Sequence, residues 1–244
     1  MSEVTTADAT VNAKQGGVFE DILEVLWAPA AVFERSRSRG AFGYMLTLTL
    51  ICVVLVVATK SLLQPYVDAN FDLQLIKMAE QGQKMPAEAV ESSRKFGGYF
   101  LYASFALTPI FAGLFGGILV WLGAKLAGAS VAFGRAMLIA TLASVPRVLS
   151  LLTTAIQGAV LDTSTVTSLF SASIGPARFL DAAKANNVVL TLLASFDLFG
   201  IWNIVITAIG VSVVARVSRG TGWLASGLAL AASLLLTLIP AAIF

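Results

Sequence analysis

The chain has 244 residues, 57% of them hydrophobic and 12% charged, with a net charge of +2 and a mean hydropathy of +0.86. Soluble domains carry about 25% charged residues, so a soluble fold of this composition would expose large apolar patches. The bilayer is the natural solvent, and the near-neutral balance argues against a nucleic-acid partner. There is no histidine, which removes the commonest general base and metal ligand. The one cysteine, Cys52, lies in an apolar run and can form no internal disulfide or cysteine cluster.

Residues 1–17 are small and polar and read as a tail, without the basic start and apolar core of a secretory signal. From Val18 to Glu34, Phe19, Ile22, Leu23, Leu26, Ala30 and Phe33 recur at helical spacing, with Glu20, Asp21 and Glu24 opposite and Pro29 interrupting. One or two short amphipathic helices are expected. They lie along the membrane surface with Trp27 at headgroup depth, or pack on the underside of the bundle.

A crossing needs about 20 apolar residues. Runs of that length cover residues 41–63, 99–126, 133–157, 190–215 and 223–244. The expected fold is all-α: a polytopic membrane protein with five transmembrane helices over 41–244, preceded by a cytoplasmic tail and amphipathic helix over 1–40. The polar insert Gln64 to Gly98 and the Ser/Thr-rich stretch Gly158 to Asn187 read as outer loops, the first containing short helices. Gly113, Gly116 and Gly117 let backbones approach closely, within the bundle or across a seam between copies. Pro109 should kink the second span. Lys14, Arg35, Arg37, Arg39, Lys125, Arg135, Arg216 and Arg219 fall on one side, largely in short acid-free segments. The positive-inside rule then places the N-terminus in the cytoplasm and the C-terminus outside.

Lys60, Arg147 and Asp197 are the ionisable residues within or bordering spans. The helix rise puts Lys60 and Asp197 at similar depth near the outer surface, with Arg147 ~10 Å deeper. An arginine at mid-depth costs at least ~2.5–3.5 kcal/mol unless paired or wetted. The expectation is an intramembrane polar cluster of Lys60, Arg147, Asp197 and Asn203. The alternative is that Lys60 and Asp197 each reach out to the interface.

At Asp197-Leu-Phe199-Gly-Ile-Trp202, followed by Gly210 and Arg216, the sequence resembles the signature of bacterial members of the Yip family. These are relatives of the Ypt/Rab-interacting membrane proteins. Trp27-Ala-Pro29-Ala-Ala-Val-Phe33 resembles the short helix that precedes the family's first span. The resemblance runs from about Phe19 onward. It implies a non-enzymatic integral membrane protein of five spans, and it brings no catalytic residue. Eukaryotic relatives contact small GTPases through a cytoplasmic N-terminal region, which corresponds here to residues 1–40.

Two functions follow as expectations. One is a membrane-organising or partner-binding protein. The other is a carrier or lipid-handling protein with a polar intramembrane site. No His-Glu-x-x-His, Gly-x-Ser-x-Gly or phosphate-loop motif points to an enzyme, and no cofactor or metal is implied. The expected partners are membrane lipids, with protein partners or further copies of the chain.

Overall fold

Hydropathy patterning becomes five helical spans in the computed structural model, which describes residues 16–243 with side chains to residue 239. The tail expected over residues 1–15, with Lys14, lies outside the described residues. Two short helices, α1 (Val18–Glu24) and α2 (Pro29–Arg35), precede the first span, α3 (Ala41–Glu80). The second span is α4 (Ala87–Phe111) joined through a π turn to α5 (Gly117–Leu126), and the third is α6 (Phe133–Ala143) followed by α7 (Val145–Val160). After α8 (Asn187–Ser195) come the fourth and fifth spans, α9 (Leu198–Ala215) and α10 (Arg219–Ile243). Five helices are long and apolar enough to cross a membrane, and no strand occurs among the described residues. The fold is an all-α polytopic membrane bundle. The end carrying α1 and α2 is called basal below, and the opposite end apical.

The first span does not stop near Leu63. α3 continues through Pro65 to Glu80, and α4 begins directly after Pro86. The polar insert is therefore an antiparallel helical pair rather than a loop of short helices. It is fastened by Arg94, which pairs with Asp72 at 2.5 Å and Asp68 at 3.6 Å. The Arg94 guanidinium also lies 4.8 Å from the centroid of the Phe71 ring. Cross-helix ion pairing extends these helices where apolar patterning has faded.

The second span changes partners half-way. Pro109 supplies no N–H, and the π turn Ala112–Gly116 follows within a turn. α4 packs on α3, whereas α5 packs between α6 and α10. Glycine makes the second contact possible. A Cβ at Gly117 would stand 2.9 Å from Met137 Cγ, and one at Gly123 only 2.4 Å from the Ala225 carbonyl oxygen. At Gly113 it would meet Thr141 Oγ1 at 2.7 Å, and at Gly116 the Ala140 Cβ at 3.4 Å. These glycines are occupied inside the bundle, by neighbouring helices of the same chain.

The third span breaks at Ser144, with Pro146 in the first turn of α7. The Arg147 N–H donates to the Ser144 carbonyl at 2.9 Å, which frees the Ala143 carbonyl from its usual helical partner. Asn203 Nδ2 on α9 donates to that carbonyl at 2.8 Å. A buried carbonyl without a partner would cost about 1–3 kcal/mol.

At the basal end α1 and α2 are packed into the bundle. Ile22, Val25, Val32 and Phe33 join the core formed by Tyr44, Leu138, Ile139, Ile206 and Val211. Phe19, Leu23 and Trp27 point away from it, Trp27 being 70% exposed. The expected packing on the underside of the bundle is therefore seen, with one apolar face closing the bundle and a second left open. Asp21 departs from the expected solvent face and is fully buried. It accepts from Arg35 Nε at 2.5 Å, from Arg39 Nη1 at 2.8 Å and from the Tyr44 hydroxyl. Arg35 also pairs with Glu24 at 2.5 Å; that hydrogen bond holds the Glu24 carboxyl below the usual carboxylate range and raises the Arg35 guanidinium. Arg135 Nη1 donates to the Arg39 carbonyl at 2.5 Å. The linker before the first span is thereby tied to α1, α3 and α6.

Candidate functional site

Arg147 stands on the third α7 residue, midway along the 28-residue span Phe133–Val160. The helix rise places it about 20 Å from either end. Its side chain is exposed, and among the described residues its guanidinium makes no hydrogen bond or ion pair.

The guanidinium borders two clefts. The first, of about 450 Å³, lies between α3, α4 and α7 and is lined by Cys52, Leu63, Phe105, Pro109, Ser150 and Leu151, among others. The second, of about 330 Å³, lies between the π turn, α5, α6, α9 and α10 and includes Phe115, Asn203, Thr207, Ser226 and Leu230. Both fall in the range of small-molecule sites. The partner exchange in the second span places the bend beside them. Pro109 borders the first cleft, and Ala112, Phe115 and Gly116 border the second. π turns inside helices recur at functional sites. Arg147 is the one charged residue lining either cleft among the described residues. Ser150 and Thr154 in the first cleft, and Thr207 and Ser226 in the second, were not singled out from sequence. Small hydroxyl residues inside apolar spans were the available signal.

The four-residue cluster expected from sequence does not assemble. Arg147 and Asn203 line the same cleft; Lys60 and Asp197 do not join them. Lys60 Nζ instead lies 5.4 Å and 5.6 Å from the ring centroids of Tyr99 and Tyr102, in a small apical pocket with Asp68, Arg94 and Lys95. Cation–π attraction and a lysine long enough to reach the interface account for this. Asp197 caps α9: its Oδ1 accepts from the Gly200 N–H at 2.6 Å. An acid placed directly before an apolar run satisfies the free N–H groups there and favours the positive end of the helix dipole. That local role leaves Asp197 no need of Arg147. The backbone at this cap also receives the apical loop, because the Leu198 N–H donates to the Ile174 carbonyl at 3.1 Å. Gly175 is pressed against Asp197, where a Cβ would stand 2.8 Å from the Asp197 Cα.

Comparison with known proteins adds the lineage. The Yip1 domain matches residues 23–240. The chain belongs to the Yip1 domain family. It is also 25% identical over 205 residues to a curated protein of Bacillus subtilis (strain 168) called membrane protein YknW, covering 83% of this chain and 81% of that one. No solved structure matches the chain. The residues that carried the family resemblance have distinct physical tasks in this Yip1 domain. Asp197 starts the fourth span, Phe199 is buried behind it, and Trp202 is 40% exposed on the bundle surface. Gly210 receives Phe33 from the helix before the first span: a Cβ there would stand 2.9 Å from the Phe33 ring. Two separate parts of the family pattern meet at that contact.

Proposed function

We propose that this Yip1 domain protein is a non-enzymatic, lipid-handling protein of a bacterial inner membrane, holding a membrane amphiphile at Arg147. The observation that carries the reading is the unpaired guanidinium at mid-span, open to two mainly apolar clefts. A charge at that depth is retained where it serves a pathway or a ligand. Its position beside a π turn adds support. Among the described residues the clefts hold one charged group and no acid–base pair, which favours binding over catalysis. Arg35, Arg37, Arg39, Lys125, Arg135, Arg216 and Arg219 gather at the basal end, which supports a cytoplasmic basal end and an outward C-terminus.

A membrane-organising or partner-binding role is the second reading. It is favoured by Phe19, Leu23 and Trp27, which stay exposed on helices tied firmly to the bundle. Photo-cross-linking in intact cells separates the two. With a photoreactive residue at Leu151 or Leu230, the lipid-handling reading expects lipid adducts that depend on Arg147. Protein adducts from those cleft positions, or none at all, would contradict it. Protein adducts confined to position 27 would support the second reading.

A further inference from the structure

We propose that the ligand at Arg147 is a net-anionic phosphodiester lipid with an uncharged, hydroxyl-bearing headgroup, in preference to a zwitterionic lipid. This rests on the lipid-handling reading above and names the class of lipid.

The argument begins with charge. A guanidinium about 20 Å from either end of its span needs an anion or water, and among the described residues no carboxylate pairs with it or lines its clefts. A phosphodiester is the anion that a bilayer supplies at high concentration, and its oxygens match the guanidinium fork bidentately. The second step concerns what else the headgroup brings. No aspartate or glutamate lines either cleft among the described residues. An ammonium carried in beside the phosphate would compete with Arg147 for that one anion, find no carboxylate lining either cleft, and face Arg147 itself. A polyol headgroup meets no such penalty. Ser195 and Ser226 spend their hydrogens on backbone carbonyls at 2.9 Å each, which leaves their oxygens free to accept from a headgroup hydroxyl.

The two clefts then take different parts of the molecule. The first is walled by Leu63, Phe105, Pro109 and Leu151, with the hydroxyls of Thr108, Ser144 and Thr154 turned onto nearby backbone carbonyls, and suits acyl chain. The second carries Ser195, Asn203, Thr207, Ser226 and Ser233 and suits the headgroup. Arg147 borders both, so the phosphate that joins the two parts of such a lipid falls at the junction.

The test uses the full chain in detergent, with native mass spectrometry of lipids bound in competition. Phosphatidylglycerol and phosphatidylethanolamine of identical acyl chains are offered in equal amounts. The wild type should prefer phosphatidylglycerol by at least about tenfold, the scale of one charge-assisted contact. Arg147→Gln should erase the preference, and Arg147→Lys should retain part of it. Lys60→Gln, which alters a cation outside both clefts, should leave it intact. If Arg147→Gln does not purify as a folded monodisperse species, Ser233→Asp supplies the second arm. A carboxylate in the headgroup cleft should bring the two lipids close to parity. Arg147-dependent binding of both lipids equally would overturn the net-anion inference while leaving lipid handling standing. Arg147-dependent binding of soluble glycerol 3-phosphate with no gain from acyl chains would overturn it in favour of a free phosphate ester. No retained lipid in the wild type would overturn both proposals.

Discussion

Phe33 on α2 occupies the notch that Gly210 leaves on α9, and neither residue could be enlarged without displacing the other. A Cβ at residue 210 would also stand 2.8 Å from Ile139 on α6, so three helices converge on the missing side chain. The ring is fully buried and cannot swing aside. Gly210→Ala should therefore destabilise the protein by about 1–3 kcal/mol, the usual cost of overpacking a filled core. Phe33→Ala should cost about 3–5 kcal/mol if the cavity stays open. Thermal unfolding in detergent measures both. Unchanged stability in Gly210→Ala would mean that α2 is not seated as described.

Asp21 holds the linker before the first span in place. Asp21→Ala leaves Arg35 and Arg39 without their buried acid. Breaking a buried pair costs about 3–5 kcal/mol, and the partial exposure of both arginines, 21% and 27%, argues for the lower end. The linker bonds should become sensitive to limited trypsin digestion after Arg35, Arg37 and Arg39.

Glu24 makes part of that tie dependent on pH. Its folded carboxyl lies below the ordinary carboxylate range because Arg35 hydrogen-bonds it. The contribution is complete above an ordinary glutamate pKa of about 4.3 and is lost as pH falls through the lowered folded value. Trypsin is unsuited to acid, so the fluorescence of a chain retaining Trp27 as its only tryptophan is the measure. It should hold steady from neutral to mildly acidic pH and shift only below the glutamate range. Glu24→Gln should remove the Glu24 part of that shift.

The Asn203 amide repairs the break in the third span by bonding the Ala143 carbonyl at 2.8 Å. Asn203→Leu keeps the approximate size but removes the donor. Hydrogen bonds between membrane helices average about 0.6 kcal/mol and reach about 1.7, and a carbonyl left unpaired moves the expectation to the upper part of that range. Unfolding of this variant in mixed micelles should show the loss. A wild-type unfolding curve would indicate that water or another group serves Ala143.

The glycines of the bundle differ in a way that sequence spacing does not show. Gly123 faces the Ala225 carbonyl at 2.4 Å from an added Cβ, while Gly227 on α10 has nothing within 4 Å. Gly123→Ala should destabilise by about 1–3 kcal/mol. Gly227→Ala should be neutral or stabilise by up to about 1 kcal/mol, because it removes helix-interior glycine from open space. Equal effects in the two variants would contradict the packing of α5 on α10.

The spans and their order were legible because a membrane crossing demands a long apolar run wherever it occurs. Pro109 announced the bend of the second span, whereas the break of the third at Ser144 was not anticipated. Less was legible where the determinants are far apart in the chain. Asp21 looked like a solvent-facing residue because its partners lie 14, 18 and 23 positions away. α3 looked finished at Leu63 because its extension is held by Arg94 across the hairpin rather than by hydropathy. Asp197 carried a local signal, an acid directly before an apolar run, and the pull of a charge partner at similar depth obscured it. Arg147 was conspicuous from sequence as an expensive residue. Its two clefts were not, because they arise where α4 and α5 choose different neighbours.

The most direct measurement of the central claim is the phospholipid retained per chain after exhaustive detergent washing, compared between wild type and Arg147→Gln. The account predicts about one firmly held lipid per wild-type chain, because the two clefts share the single Arg147 guanidinium, and none above background in the variant. Equal retention by the two proteins would show that lipid holding does not depend on Arg147.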